Sequence, residues 1–499
     1  MNVLVLTVVL AFLSIANAVL VPKMGVVSNY ELLKTGKFGS RLMQMNGISG
    51  STYGEYNPYI LDLTSDPFEA GYDAGMLFGK EYAANIKAIF DTALDAEGKW
   101  WESAARNIIY HFLDKQYKFL SEQLPEEYKK EFEGLSAGGA SIGLTGFEND
   151  VGLNAQRGLV LGNFPSDADH LKLIIKDEKE HEIANGGKWD HLLEKEILLW
   201  IEKKEGKGKL GFGCSNWGAW GARTSNQDLF SGRNLDWMRD TGVTKYKLIT
   251  IHHPVNGIAH ADIGVAGIWG SLTGMSADGI TVHEANLESD DITFYGFPWL
   301  LRVRHIMAYS NDLDSGIALW KATNNTVGFN HGIGSSKDGK MMIFETMAHN
   351  TAFFGAMDPR ESASETGNPR SDAVYRTNHG YDPYTVEHYA WNTDGGAYKN
   401  SLWRYNLFPV LFDQYDNEKQ LIGPLQAANI SAIVGHKGKD NDEDTYNCNA
   451  PYPNGENVLS VAFHPKELKA YVSWESGTGD AWIPAACNTY VEVDLKEFF

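Results

Sequence analysis

Gly213-Cys214-Ser215-Asn216-Trp217 and Gly232-Arg233-Asn234-Leu235-Asp236-Trp237 are the segments of this 499-residue chain whose residue types most suggest covalent chemistry. The first places a cysteine at the entrance to a predicted strand, with a glycine before it. The second places an Arg and an Asp on the predicted partner strand. A deprotonated thiol is the strongest side-chain nucleophile near neutral pH, and its reactivity depends on a lowered pKa. Residue order alone assigns no Cys-His-Asn set. A cysteine at a new amino terminus, however, carries its own base, because an α-amine has a pKa of roughly 7.7–8.0, close to what a general base needs. Freeing that amine means breaking the Gly213–Cys214 bond. Gly213 has no side chain and tolerates the strained backbone from which a thiol attacks the preceding carbonyl. Asp236 would orient the amine, and Arg233 would steady the site or a carboxylate-bearing leaving group. These residues predict a chain that cuts itself before Cys214 and then works as an amidase or acyltransferase, with a separate amino-terminal piece.

The cysteine count sharpens this. Of only three cysteines, Cys448 and Cys487 lie near the carboxyl end in loop-like settings and are expected to pair in an oxidising compartment. Cys214 is then the odd thiol. Residues 1–18 read as a secretory signal, with a short apolar run and a small-x-small end at Ala16-Asn17-Ala18; no other stretch suggests a membrane span. Sequons at Asn324 and Asn429 agree with export, and the expected destination is secreted or lysosomal. A formal net charge of −21 repels phosphate backbones, so nucleic acid is not an expected partner.

The elements that must position these residues follow from periodicity. Tyr59 to Leu63 reads as a short strand. Asp66-Pro67-Phe68-Glu69 then starts a helix, with a capping residue, a Pro at the first helical position and a Glu three residues after the cap. Helical spacing continues to residue 135. Residues 171–213 are crowded with Lys and Glu and read as a charged linker ahead of the cysteine. From Cys214 onward strand signals dominate: Tyr246 to His252, a tight hairpin turn at Asn256-Gly257, Ile280 to Val282, Met341 to Phe344, Val458 to Phe463 and Ala470 to Trp474. Helices are expected at Pro298 to Tyr309 and Leu313 to Ala322. Strands on both sides of a helical block predict an α+β fold in layers rather than a βαβ repeat. The domain reading is a signal at 1–18, a mainly helical chain at 19–213 and a catalytic chain at 214–499.

Cys214-Ser215-Asn216 followed by Gly232 to Trp237 resembles the N-terminal-nucleophile (Ntn) cysteine hydrolases: choloylglycine hydrolases, acid ceramidases and, most nearly, the acyl-CoA:6-aminopenicillanic acid acyltransferase-like group. Asp66 to Gly75, Glu131 to Ala140 with Leu153-Asn154, and Val458 to Pro465 are similar to further motifs of that group, in the same order. The resemblance implies a four-layer αββα sandwich, with Cys214 as nucleophile and Arg233 and Asp236 beside it. It also implies an oxyanion-binding Asn at Asn286, a second active-site Asn at Asn378 in Thr377-Asn378-His379, and a distal Arg at Arg404. Side-chain amides can donate to a developing oxyanion. No cofactor or metal is expected. The expected substrate is a small or lipid-like linear acyl amide, and the processed chains should remain associated. The charged linker is longer than the resemblance predicts.

Other readings compete with this one. Gly134-Leu135-Ser136-Ala137-Gly138 fits the G-x-S-x-G elbow, which must follow a strand, whereas Pro125 to Phe132 ahead of it reads as helical, and the small residues from Ser136 to Thr145 break the helical pattern. His252-His253, His283-Glu284 and His331 invite a metal, but no paired ligand spacing occurs. Phospholipase B-like deacylation on the same plan and a secreted binding protein with its chemistry lost are the alternatives. Fourteen tryptophans suit an acyl-chain pocket or a core equally.

Overall fold

The computed structural model describes residues 22–94, 102–163, 213–237, 243–435 and 456–499, apart from 52, 54 and 55, with scattered positions between 172 and 198 and Cys448. The signal, at residues 1–18, and most of the charged linker lie outside the described residues. The strands in chain order are β1 (Lys23–Val26), β2 (Asn29–Thr35), β3 (Arg41–Asn46), β4 (Tyr59–Asp62), β5 (Gly213–Ala219), β6 (Phe230–Asp236), β7 (Lys247–His252), β8 (His260–Val265) and β9 (Thr273–Ser276). They continue as β10 (Ile280–Asn286), β11 (Phe329–Ser335), β12 (Lys340–Met347), β13 (Asn350–Phe354), β14 (Ala373–Arg376), β15 (Asn457–His464), β16 (Lys469–Trp474) and β17 (Thr489–Asp494).

They form two sheets. One has seven strands in the order β1-β17-β16-β15-β6-β5-β14; the other has ten, in the order β13-β12-β11-β10-β9-β8-β7-β4-β3-β2. The sheets face each other, β5 lying against β10, β11 and β12. The helix Trp299–Tyr309 covers the larger sheet at β8 to β10, and Pro424–Gly435 covers the smaller sheet at β6 and β15. The result is the expected α+β sandwich of four αββα layers. Strands near its middle are buried along their whole length, β5, β6 and β15 among them.

The amino-terminal region is helical from Pro67 as expected, although the helix Glu126–Ser141 runs past the small residues at Ser136 that were expected to break it. Asp66 caps the helix Pro67–Leu94, its side chain accepting from the Glu69 N–H at 3.0 Å. That helix crosses Glu126–Ser141 so closely that a Cβ on Gly71 would lie 2.1 Å from the Glu131 carbonyl oxygen, and one on Gly138 would lie 1.9 Å from that of Tyr72. Glycine at these positions is what lets the two backbones meet. Ser136 sits in that helix and donates to Asp150 at 2.6 Å, so the G-x-S-x-G match is helical and not an elbow.

The strands ahead of these helices are the main difference from expectation. β1 pairs parallel with β17 in the smaller sheet, while β4 pairs parallel with β7 in the larger one, carrying β2 and β3 with it. Residues 23–62 therefore contribute strands to both sheets, where a mainly helical region was expected. Their pairing partners lie far along the chain, where local patterning gives no sign of them. The β7–β8 connection also differs: His252 pairs with His260, so the Asn256-Gly257 turn sits within a longer loop.

Candidate active site

β5 and β6 are antiparallel neighbours, with Gly213 opposite Asp236, Cys214 opposite Leu235 and Asn216 opposite Arg233. The thiol of Cys214 is buried, and it is the free cysteine of the structure. An Arg233 guanidinium nitrogen, Nη2, lies 3.3 Å from Cys214 Sγ and 2.5 Å from Glu284 Oε1; Nη1 donates to the Leu272 carbonyl at 3.1 Å. Glu284 Oε1 is itself 3.9 Å from the thiol. Burial, then Glu284, push the Cys214 thiol up to about 12, against the pull of Arg233. That burial favours the neutral form of the thiol. Burial also raises the Glu284 carboxyl above its ordinary value, with Arg233 opposing.

The backbone of Cys214 is held from the other side. Its N–H donates to Asn378 Oδ1 at 3.1 Å, and its carbonyl accepts from Arg404 at 2.5 Å. Arg404 also donates to Asn378 Oδ1 at 2.6 Å and to Asn400 at 2.9 Å. Asn378 Nδ2 donates to the Asn286 carbonyl at 2.7 Å, which leaves its second N–H for another acceptor. The Asn378 N–H is held by Ser401 Oγ at 2.7 Å and its carbonyl by the Tyr389 hydroxyl at 2.6 Å. Asp236 is buried on β6 and accepts from Asn457 at 2.9 Å.

Cys214, Arg233, Asp236, Asn286, Asn378 and Arg404 are thus brought around one peptide junction from β5, β6, β10, the loop after β14 and the helix Gly396–Glu418. Asn286 differs in detail from expectation. Its backbone N–H approaches the sulfur, while its side-chain amide donates to Glu288 at 3.3 Å. It lies at the half-buried end of β10, where an acidic neighbour competes for the amide. Sequence reasoning missed Glu284, Ser401 and Asn457. The signal for Glu284 was a carboxylate within the buried run Ile280–Asn286, since a charge there needs a partner. Ser401 and Asn457 carried no comparable signal.

The remaining expectations fall outside this centre. Cys448 and Cys487 form a disulfide. Asn324 is exposed, whereas the Asn429 amide nitrogen lies within a helix and donates to Tyr415 at 2.7 Å. Among the described residues, ligand atoms of His252, His260 and Asp262 converge within 4.8 Å. The lone pairs there are turned to Arg304, which sits 2.9 Å from His252 Nδ1 and 3.4 Å from His260 Nε2 and pairs with Glu131. A guanidinium fills the place a cation would take. No helix among the described residues is long and apolar enough to cross a membrane.

The layered αββα sandwich thus carries a buried cysteine at the start of β5, ringed by Arg, Asp and Asn. The chain belongs to the acyl-coenzyme A:6-aminopenicillanic acid acyl-transferase family, a model of which matches residues 222–477, about half its length. The match begins just after Cys214 and includes Arg233, Asp236, Asn286, Asn378 and Arg404. An uncharacterised protein of Archaeoglobus fulgidus is 24% identical over 400 residues, which are 77% of this chain and 60% of that longer protein. Among solved structures, a mutant of the conjugated bile acid hydrolase of Clostridium perfringens is similar at 13% identity and a TM-score of 0.35, over 56% of this chain and 93% of that one. The Caenorhabditis elegans ortholog of N-acylethanolamine-hydrolyzing acid amidase is similar at 11% identity and a TM-score of 0.32, over 50% and 93% respectively.

Proposed function

We propose that the protein is a secreted or lysosomal amidase or acyltransferase that cuts itself between Gly213 and Cys214 and then acts on linear acyl amides. The observation that carries this is the ring of Arg233, Glu284, Asn378 and Arg404 on the thiol and backbone of Cys214. Family membership supports the reaction class, and the disulfide supports an oxidising compartment.

In self-cleavage the sulfur attacks the Gly213 carbonyl carbon. A C–S bond forms, the C–N bond breaks, and the departing nitrogen takes up a proton as the new α-amine. Water then hydrolyses the thioester, leaving a carboxylate on Gly213 and returning the thiol. Glu284, the carboxylate beside the sulfur, is placed to take its proton. In the cut enzyme the α-amine takes that proton instead, and Asp236, across from the new terminus, orients it. The thiolate attacks a substrate amide, the free N–H of Asn378 donates to the oxyanion, and Arg404 fixes that amide by its oxygen. The ammonium protonates the leaving amine, and water or an acceptor amine resolves the acyl-enzyme. The uncut amino-terminal strands β1 and β4 would keep the two chains together.

Intact-mass measurement of the purified protein tests this, with Cys214→Ala as control. Two chains are expected, the second beginning at Cys214, and one chain for the variant. Cleavage that survives the substitution removes self-processing. An intact wild-type chain inert toward N-acyl amides removes the enzyme reading, and turnover of phospholipids in their place assigns it to lipid deacylation.

A further inference from the structure

We infer that Asn330 is the positioning residue that holds Asn378 in its working pose; the inference rests on the reading of Asn378 as the oxyanion donor. Asn330 lies on β11 and is fully buried. Its side-chain amide donates to the Thr377 and His379 carbonyls, at 2.9 Å each. These residues stand on either side of Asn378, so one amide group brackets the peptide units that aim it. The cost of this arrangement is visible at the other end of the side chain, where Oδ1 is buried with no partner. Native structures rarely leave such an acceptor unmatched. Here the amide is oriented by what its two donors must reach.

Two neighbours extend the bracket. Glu345 stands directly opposite Asn330 on β12 and accepts from the N–H groups of Tyr381, at 3.0 Å, and Asp382, at 2.9 Å. The loop carrying Asn378 is therefore pinned to the larger sheet at both its ends. Asn216, on the nucleophile strand, donates to the Asn330 backbone carbonyl at 3.0 Å across the sheets. Gly332 leaves room for it, since a Cβ there would lie 3.0 Å from Asn216 Oδ1. The strand that bears the thiol and the loop that bears the oxyanion donor are thus keyed to the same residue of β11. Ser401 and Tyr389 still hold the Asn378 backbone without Asn330, so its loss would leave the loop folded but less exactingly aimed.

The test uses the full chain with Asn330→Ala, Asn378→Ala and the double variant, reading self-cleavage rate and turnover of an N-lauroyl aminocoumarin. Asn378→Ala is expected to lower kcat about 100-fold or more. Asn330→Ala is expected to lower it about 10- to 100-fold, the scale of a small misplacement, with KM changed less than about threefold. The double variant is expected to be no slower than Asn378→Ala alone, because a residue acting only through Asn378 has nothing left to position. Additive losses in the double variant, or a loss confined to KM, would overturn the inference, as would a silent Asn330→Ala beside a slow Asn378→Ala. Asn378→Ala at wild-type speed removes the oxyanion reading, and the inference with it. Should Asn330→Ala fail to fold, Asn330→Asp keeps the shape, removes the paired donors and is held to the same outcomes.

Discussion

Acid should destabilise this protein steeply, and the reason lies in its buried histidines. Burial holds His260, His283 and His379 at about 3 and His305 at about 4, and takes His252 and His331 well below their ordinary value. Nearby Arg side chains deepen each of these shifts. A histidine whose folded pKa lies below its unfolded value near 6.5 contributes stability that is complete above 6.5. That contribution is lost as the pH falls toward the folded value, because the unfolded chain takes up a proton that the folded chain refuses. Each such group is worth about 1.4 kcal/mol per pH unit in that window. Burial raises the carboxyls of Asp262, Glu284 and Glu345, which act in the opposite sense. If each cancels one histidine, three remain in excess, giving about 4 kcal/mol per pH unit. Between pH 6.5 and 5.0 that is about 6 kcal/mol, comparable with the whole stability of many domains, about 5–15 kcal/mol. Urea unfolding followed by tryptophan fluorescence at pH 7.5, 6.5, 5.5 and 5.0 measures the slope. His331 offers an internal check. Its ring lies 4.7 Å from that of Trp320 and 5.5 Å from that of Phe329, and its Nδ1 is buried without a partner. His331→Phe should keep the packing and reduce the slope by about 1.4 kcal/mol per pH unit. Stability that is flat or rising toward pH 5.0 would refute the reasoning and favour the lysosomal destination; the expected slope favours a near-neutral extracellular one.

Three further outcomes follow from the geometry. Glu284→Gln removes the carboxylate beside the thiol, and chain cutting, timed on gels, should slow at least about 100-fold, the lower end of general-base effects. Gly138→Val pushes a side chain into the Tyr72 backbone; it should lower stability by about 1–3 kcal/mol or more, seen as an earlier urea midpoint with the spectrum of the folded state retained. After cutting, the two chains should co-elute on size exclusion without denaturant, because β1 and β4 are strands of the two sheets, and should separate only in denaturant.

Local sequence was sufficient wherever the signal was local. The Asp66 cap, the helices Trp299–Tyr309 and Leu313–Lys321, and the strands at Ile280 to Val282 and Met341 to Phe344 lie where periodicity puts them; the latter two follow Gly279 and Gly339, which adopt the positive φ that tight turns require. Cys214, Arg233 and Asp236 were legible because they fall on one hairpin, where spacing and strand register are nearly the same information. Asn286, Asn378 and Arg404 were reached through the resemblance rather than through spacing, since nothing in a linear chain brings Asn378 to the Cys214 N–H.

The sequence by itself determined the layered α+β class and singled out Cys214 as the odd thiol and candidate nucleophile, because residue type, short-range period and a count of cysteines carry them. Only the tertiary structure decided the rest. Pairing of β1 with β17 and of β4 with β7 joins residues far apart along the chain, and makes the amino-terminal segment part of both sheets. The same long-range closure put Glu284 beside the sulfur and Asn330 across the Asn378 loop. A buried charge or amide has its role set by the partners that exclude water from around it, and those partners are chosen when the sheets stack.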